Sequence, residues 1–179
     1  MDFYQVIKAR RSVRSYKGDA ISDDVLRRVL EGARIAPSAN NTQPWTFIVV
    51  KDAALREKIA EISFEQSFIA EAPVVIVCCG RQYHDSYSWI ADNMYIVDVT
   101  IAVDHLTLAA RNEGLGTCWI GAFHREPLKK LLDIPAGHDP IILTPLGYPS
   151  SPAAFRAVSS RKPLGEIVCA EKFGQPFKE

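Results

Sequence analysis

The stretch Ala9-Arg10-Arg11-Ser12-Val13-Arg14-Ser15-Tyr16 gathers three guanidinium groups and two small hydroxyls in a chain of 179 residues. Arginine presents a planar fork of donors that suits phosphate, and serine adds a short rotatable hydroxyl. A charged hydrogen bond in a sheltered site contributes about 1.5–3 kcal/mol. In an extended segment Arg10, Ser12 and Arg14 project to one side, and Arg11 and Val13 to the other. One face can therefore follow a single elongated anion. Taken alone, the cluster is equally a solvated basic turn, so its meaning rests on the elements that position it.

Composition narrows the field. Lysine plus arginine number 21 and aspartate plus glutamate 21, so the formal charge is zero and no global field favours nucleic acid or an acidic membrane. The length suits one domain spanning residues 1–179. Cys78, Cys79, Cys118 and Cys169 lack the spacing of a metal site, so no metal is expected and a reduced, cytoplasmic setting fits. The first residues carry charge before any apolar core, and no run approaches about 18 uninterrupted apolar residues. A secreted or spanning protein is not expected.

Apolar spacing predicts a short helix over Asp2–Ala9 that delivers the arginine cluster. Ser22, with Asp23 and Asp24, opens a second helix that ends near Ala36, because Pro37 disfavours helical geometry in the residue before it. The loop Ala36–Trp45 is rich in small residues and amides, suited to approaching a flat polar ligand and equally to a plain connector. Thr46–Val50 and Val74–Cys79 read as buried strands, with a helix from Asp52 to Ile62 between them.

Arg81–Ser88 is polar and aromatic, as a loop over a site would be. Trp89–Asn112 carries the longest helical pattern, apolar on several sides, with Ile90, Met94, Val97, Ile101 and Leu108 on one stripe. One sheet covers only one side of such a helix, so a homodimer built on it is expected. Asp92, Asp98 and Asp104 recur every sixth residue and share no face, which excludes a joint carboxylate site and leaves structural pairing or exposure. Gly114–Gly116 ends the helix and Thr117–Phe123 continues as strand and turn, with little side chain at Gly121-Ala122 to block a planar ligand. A short helix follows over His124–Leu132, then a strand from Ile141 in which Pro145 argues for a sheet edge or a bulge. The last thirty residues are proline-rich, as in a tail that wraps over a neighbour. Arg161 within it offers positive charge to the anion served by Arg10.

Together, Arg10-Arg11-Ser12-Val13-Arg14, the loop Ala36–Trp45, Gly114–Phe123 and Leu146-Gly147-Tyr148-Pro149 closely resemble the nitroreductase family of flavin-dependent oxidoreductases, in the family's order and over nearly the whole chain. The resemblance implies an α+β fold with a mainly antiparallel central sheet flanked by helices. It also implies an intertwined homodimer with FMN at the subunit interface and NADH or NADPH as electron donor. Carried over by position, Arg10, Ser12 and Arg14 match the N-terminal FMN motif, and Arg11 a position that often joins it. Arg14 is implied at the pyrimidine edge of the ring, where its charge stabilises reduced FMN, and Arg10 with Arg161 at the phosphate. Pro37, Ser38, Ala39 and Asn41 match the loop lent by the second subunit. Ile120, Gly121 and Ala122 match the backbone facing the reactive edge, and Gln66 is a further candidate to reach the cofactor.

The implied reaction is reduction of a small acceptor, such as a nitroaromatic or quinone, in alternation with the nicotinamide at one site. The chain lacks the long helical insertion of larger members, and the family includes reductive dehalogenation and flavin-consuming chemistry, so the acceptor stays open. Two alternatives stand beside this: an FMN carrier or sensor without turnover, and a nucleic-acid module, which the zero net charge disfavours.

Overall fold

The computed structural model describes residues 1–83, 93–156 and 160–177. His84, Asp92, Ser159, most of the Arg81–Ser88 stretch and the expected helix start at Trp89 lie outside the described residues. Seven helices, α1 (Phe3–Ala9), α2 (Asp23–Arg34), α3 (Ala53–Ile62), α4 (Phe68–Glu71), α5 (Met94–Asn112), α6 (Arg125–Leu131) and α7 (Leu164–Ile167), accompany four strands among the described residues. The strands are β1 (Trp45–Val50), β2 (Val74–Arg81), β3 (Gly116–Thr117) and β4 (His138–Gly147), in the order β1-β2-β4-β3 with every neighbouring pair antiparallel.

Strand β2 organises the core because its side chains alternate between two apolar layers. Val74, Ile76 and Cys78 pack with α2 and α5, while Val75, Val77 and Cys79 pack with α3, α4 and α6. Local signals set the helix ends. Ser22 Oγ accepts from the Val25 N–H at 3.4 Å and an Asp52 carboxyl oxygen from the Leu55 N–H at 2.8 Å, each satisfying a donor the helix cannot. Gly32 lets α2 lie against α5, since a Cβ there would stand 2.7 Å from Ala109 Cβ.

Two strand expectations need correction. Strand β1 is an edge strand with mostly half-buried side chains, whereas its apolar run reads as fully covered. Pro145 lies inside β4, between β2 and β3, at neither an edge nor a bulge. The irregularity between β2 and β4 falls instead at Cys78/Cys79, opposite Ile142 and Pro140. The register that pairs Thr117 with Leu146 and Ile120 with Leu143 sets Pro145 against Cys118. Proline has no N–H to donate to the Cys118 carbonyl there, and the Cys118 N–H bonds to Thr144 Oγ1 at 3.2 Å.

Val99, Val103 and Leu106 of α5 are fully buried, while Met94, Ile101 and Leu108 are only half-covered and Val97 is exposed. Phe3, 66 % exposed, and Ile35, 63 % exposed, add apolar surface near the same helix, so α5 keeps an uncovered apolar side. The last segment leaves Leu164, Ile167, Phe173 and Phe177 exposed as well. No helix among the described residues is long and apolar enough to cross a membrane.

Candidate active site

The segment after α1 runs extended beside β3. Ser12 forms a parallel bridge with Thr117, and the Val13 N–H donates to the Thr117 carbonyl at 2.8 Å. The alternation read from the sequence takes physical form here. Val13 is buried, whereas Ser12 and Arg14 are exposed and Arg10 half-buried, in the neighbourhood of Cys118 just past β3. Burial pushes the Cys118 thiol up, and the Arg14 charge, a hydrogen bond with Ser12 and the Arg10 charge pull it back. Arg10, Ser12 and Arg14 are therefore all near enough to influence the same thiol. Among the described residues no carboxylate lies within ion-pair distance of Arg10 or Arg14, so their donors are available to an anion.

Next along the chain, Ile120 exchanges two 3.0 Å backbone hydrogen bonds with Leu143, which fixes the stretch that follows. Gly121 and Ala122 are exposed, and no oxygen of the described residues accepts from their N–H groups. A Cβ on Gly121 would meet nothing closer than 3.8 Å, so the backbone presents an open face. Gln66 reaches the same place: its Nε2 donates to the Ser63 carbonyl at 2.7 Å and to the Ala122 carbonyl at 3.4 Å. Phe64 and Glu65, just before it, hold left-handed φ values of 58° and 57°, a backbone that side chains of this kind seldom adopt. Phe64 is exposed and lies against the His124 ring, centroids 4.5 Å apart.

The amide-rich loop is built separately. Asn40, Asn41 and Gln43 have φ of 49°, 56° and 48°, and asparagine tolerates this region better than most residues. Ser38 Oγ accepts from the Gln43 N–H at 2.9 Å, and Asn41 Oδ1 from Gln43 Nε2 at 3.1 Å. Asp98, buried on α5, accepts the Ala39 N–H and the Tyr83 hydroxyl, which also meets Thr42 Oγ1 at 2.7 Å. Pro37 and Asn41 stay exposed, with Ser38 and Ala39 half-buried.

Within one chain these parts do not converge. The loop enters β1 at Trp45, which opposes Gly80, and Gly80 opposes Asp139 of β4; the arginine segment follows β3, which opposes Leu146. From Asp139 to Leu146 a strand extends about 23 Å, and β1 and β3 lie at opposite edges of the sheet. Arg161 is also apart: it is exposed and donates to its neighbour, the Ser160 carbonyl, at 2.8 Å. Arg11 faces away from Arg10 and Arg14 and bonds to the Arg156 carbonyl. Sequence reasoning leaves Asp98 as one of three scattered aspartates and Cys118 as a free thiol; their partners come from remote segments, and no local signal marks them.

The model of the nitroreductase family matches residues 7–82 and 63–148. The chain belongs to the nitroreductase family. A protein of Archaeoglobus fulgidus provisionally named an NADH dehydrogenase/NAD(P)H nitroreductase is 34% identical, over 88% of this chain and 91% of its own length. The FMN reductase [NAD(P)H] of Bacillus subtilis is 32% identical, over 84% of this chain and 68% of its own. Among solved structures, a nitroreductase family protein from Clostridium novyi NT superposes with TM-score 0.79 and 34% identity, covering 99% of this chain and 97% of that one. The antiparallel sheet flanked by helices is thus the nitroreductase fold, as the sequence motifs imply.

Proposed function

We propose that this nitroreductase-family chain is an FMN-dependent enzyme. In this reading it takes electrons from NADH or NADPH and reduces a small acceptor, such as a nitroaromatic or quinone, the two substrates visiting one site in turn. The observation that carries the reading is the bridging of the Arg10–Arg14 segment to Thr117, with no carboxylate among the described residues paired to Arg10 or Arg14, in the same stretch of chain that goes on to the open Gly121–Ala122 backbone. The names of the Archaeoglobus and Bacillus relatives support it.

The donor set fits FMN. Guanidiniums and a hydroxyl suit a phosphate and the electron-rich edge of the ring, and two free N–H groups over an open glycine suit a planar polar face. Arg10 would hold the phosphate. Arg14 would lie at the pyrimidine edge, where its charge favours the electron-rich, reduced state. The Gly121 or Ala122 N–H would hold the hydride-accepting nitrogen, and Gln66, tied to Ala122, would border it. FMN supplies the hydride and electron chemistry, so the chain needs no nucleophile or side-chain acid of its own.

The Pro37–Asn41 loop belongs to this site only if a second subunit presents it, since its own sheet holds it at the far end. The uncovered side of α5, with Phe3 and Ile35, supplies the surface for that homodimer. The apolar tail, with Arg161 near its start, would then lie over the partner. Free Cys78, Cys79 and Cys118 fit a reducing cytoplasm.

The test is an absorbance spectrum after incubation with FMN and desalting, followed by anaerobic NADH and then NADPH. Retained flavin that bleaches rapidly with either nicotinamide is expected. Retained flavin that stays yellow would replace the enzyme with an FMN carrier or sensor, and no retained flavin would sink the reading.

A further inference from the structure

The cradle segment has two faces, and the second is packed against the start of the C-terminal segment. Arg11 Nε donates to the Arg156 carbonyl at 2.7 Å, and Nη1 of the same guanidinium donates to the Arg10 carbonyl at 2.5 Å. One rigid fork thus ties the backbone of Arg10 to that of Arg156, which lies 145 residues beyond Arg11. Val13 and Tyr16, both buried, share an apolar cluster with Ala154 and Phe155. Arg111 of α5 stacks its guanidinium carbon 3.9 Å from the centre of the Phe155 ring. Nearby, the Ser150 N–H donates to the Ser15 carbonyl at 3.1 Å and the Lys17 N–H to the Tyr148 carbonyl at 2.8 Å. The stretch that carries Arg10, Ser12 and Arg14 is therefore clamped between β3 and residues 148–156.

We infer that Arg11 is a positioning residue and not an FMN ligand, and that its bridge, with the Phe155 anchor, couples the seating of the C-terminal segment to the grip of the cradle on FMN. This rests on the FMN reading above. Lysine carries its three donors on one nitrogen and lacks the planar fork whose Nε and Nη1 reach the two carbonyls separately. By linkage the coupling is reciprocal: bound FMN holds the C-terminal segment in place, and loosening that segment weakens FMN.

The experiment measures FMN affinity by flavin fluorescence, and the rate of tryptic cleavage at Arg156 or Arg161 with and without FMN, in the full-length protein. Wild type, Arg11→Lys, Arg11→Ala, Phe155→Ala and Phe155→Leu are compared, each with its Tm. FMN is expected to slow cleavage of the wild type. Arg11→Lys and Arg11→Ala should weaken FMN alike, about tenfold or more, the scale of one charge-assisted hydrogen bond. Phe155→Ala should weaken FMN and hasten cleavage together, and Phe155→Leu should recover part of both. Wild-type affinity in Arg11→Lys would make Arg11 a simple charge on the cofactor and overturn the proposal. So would faster cleavage of Phe155→Ala with unchanged FMN affinity. A wild type that takes up no FMN fails the cofactor reading and the coupling with it, a result distinct from a wild type that binds FMN indifferently to Phe155.

Discussion

The carboxyl group of Asp98, the fifth residue of α5, accepts the backbone N–H of Ala39 at 3.1 Å and so pins the amide-rich loop to the longest described helix. Asp98 is 3 % exposed, and the Tyr83 hydroxyl donates to its other oxygen. Removing the acceptor takes this partner from the half-buried Ala39 N–H and from the Tyr83 hydroxyl, which costs more than the bond itself is worth. Asp98→Ala is therefore expected to lose about 2–3 kcal/mol, read from the urea midpoint. It should also lower FMN retention, because Ser38 and Asn41 would no longer be held. Asp98→Asn keeps one acceptor oxygen and should fall between the two. A wild-type midpoint for Asp98→Ala would show that the loop is held by its own hydrogen bonds.

Gly116 sets the distance between β3 and the cradle. A Cβ there would stand 2.6, 2.8 and 3.0 Å from three side-chain carbons of Val13, closer than packed atoms tolerate. Gly116→Ala is expected to push Val13, and with it Arg10–Arg14, away from Thr117, at about 1–3 kcal/mol of stability, with weaker FMN binding. Trimming the opposing side chain tests the cause. Val13→Ala combined with Gly116→Ala should be more stable than the sum of the two single losses implies. Additive losses would place the effect of Gly116 elsewhere.

How much of this was legible in the sequence follows from the range of each interaction. The caps at Ser22 and Asp52 lie three residues from the N–H groups they serve, and the period-two split of Arg10, Ser12 and Arg14 from Arg11 and Val13 is a property of consecutive residues. Strand order is not local. The run Thr46–Val50 is as apolar as a covered strand, and only its place beside β2 and nothing else makes it an edge. Pro145 was legible as an interruption but not as one inside the sheet, because its missing donor matters to Cys118, far away in the chain. Arg11 reads as a fourth cradle residue by proximity to its neighbours, and its turn toward Arg156 depends on where the C-terminal segment returns.

Asp139 gives the fold a pH dependence. Burial alone would raise its pKa, but hydrogen bonds from Gln82 Nε2 and the Tyr95 hydroxyl, both at 2.8 Å, and Lys129 Nζ at 3.5 Å hold it below the usual carboxylate value. A carboxyl whose folded pKa is depressed adds stability above its unfolded value, near pH 4, and loses it as pH falls through the folded value. Asp139→Asn should cost about 1–2 kcal/mol at pH 7. The gap between wild-type and mutant urea midpoints should then narrow as pH drops below about 4. A gap that stays constant down to pH 2.5 would mean that the charge on Asp139 adds nothing to its hydrogen bonds.

The shared site makes the last prediction. Arg10 lies along β3 and Asn41 precedes β1, at opposite edges of one sheet, so the two serve one FMN only across a subunit interface. Arg10→Ala removes a guanidinium. Asn41→Gly removes the amide while remaining at ease at φ 56°, where alanine would add strain of its own. In the proposed homodimer, each variant alone would damage both sites. In a mixed dimer, one site combines the intact arginine of one subunit with the intact loop of the other, and the second site collects both defects. Unfolding and refolding an equimolar mixture should yield half mixed dimers by random pairing, each with one site of wild-type affinity. Flavin retention near a quarter of the wild-type value is therefore expected, against almost none for either parent. If the mixture retains no more than its parents, the arginine segment and the amide loop do not meet on one cofactor.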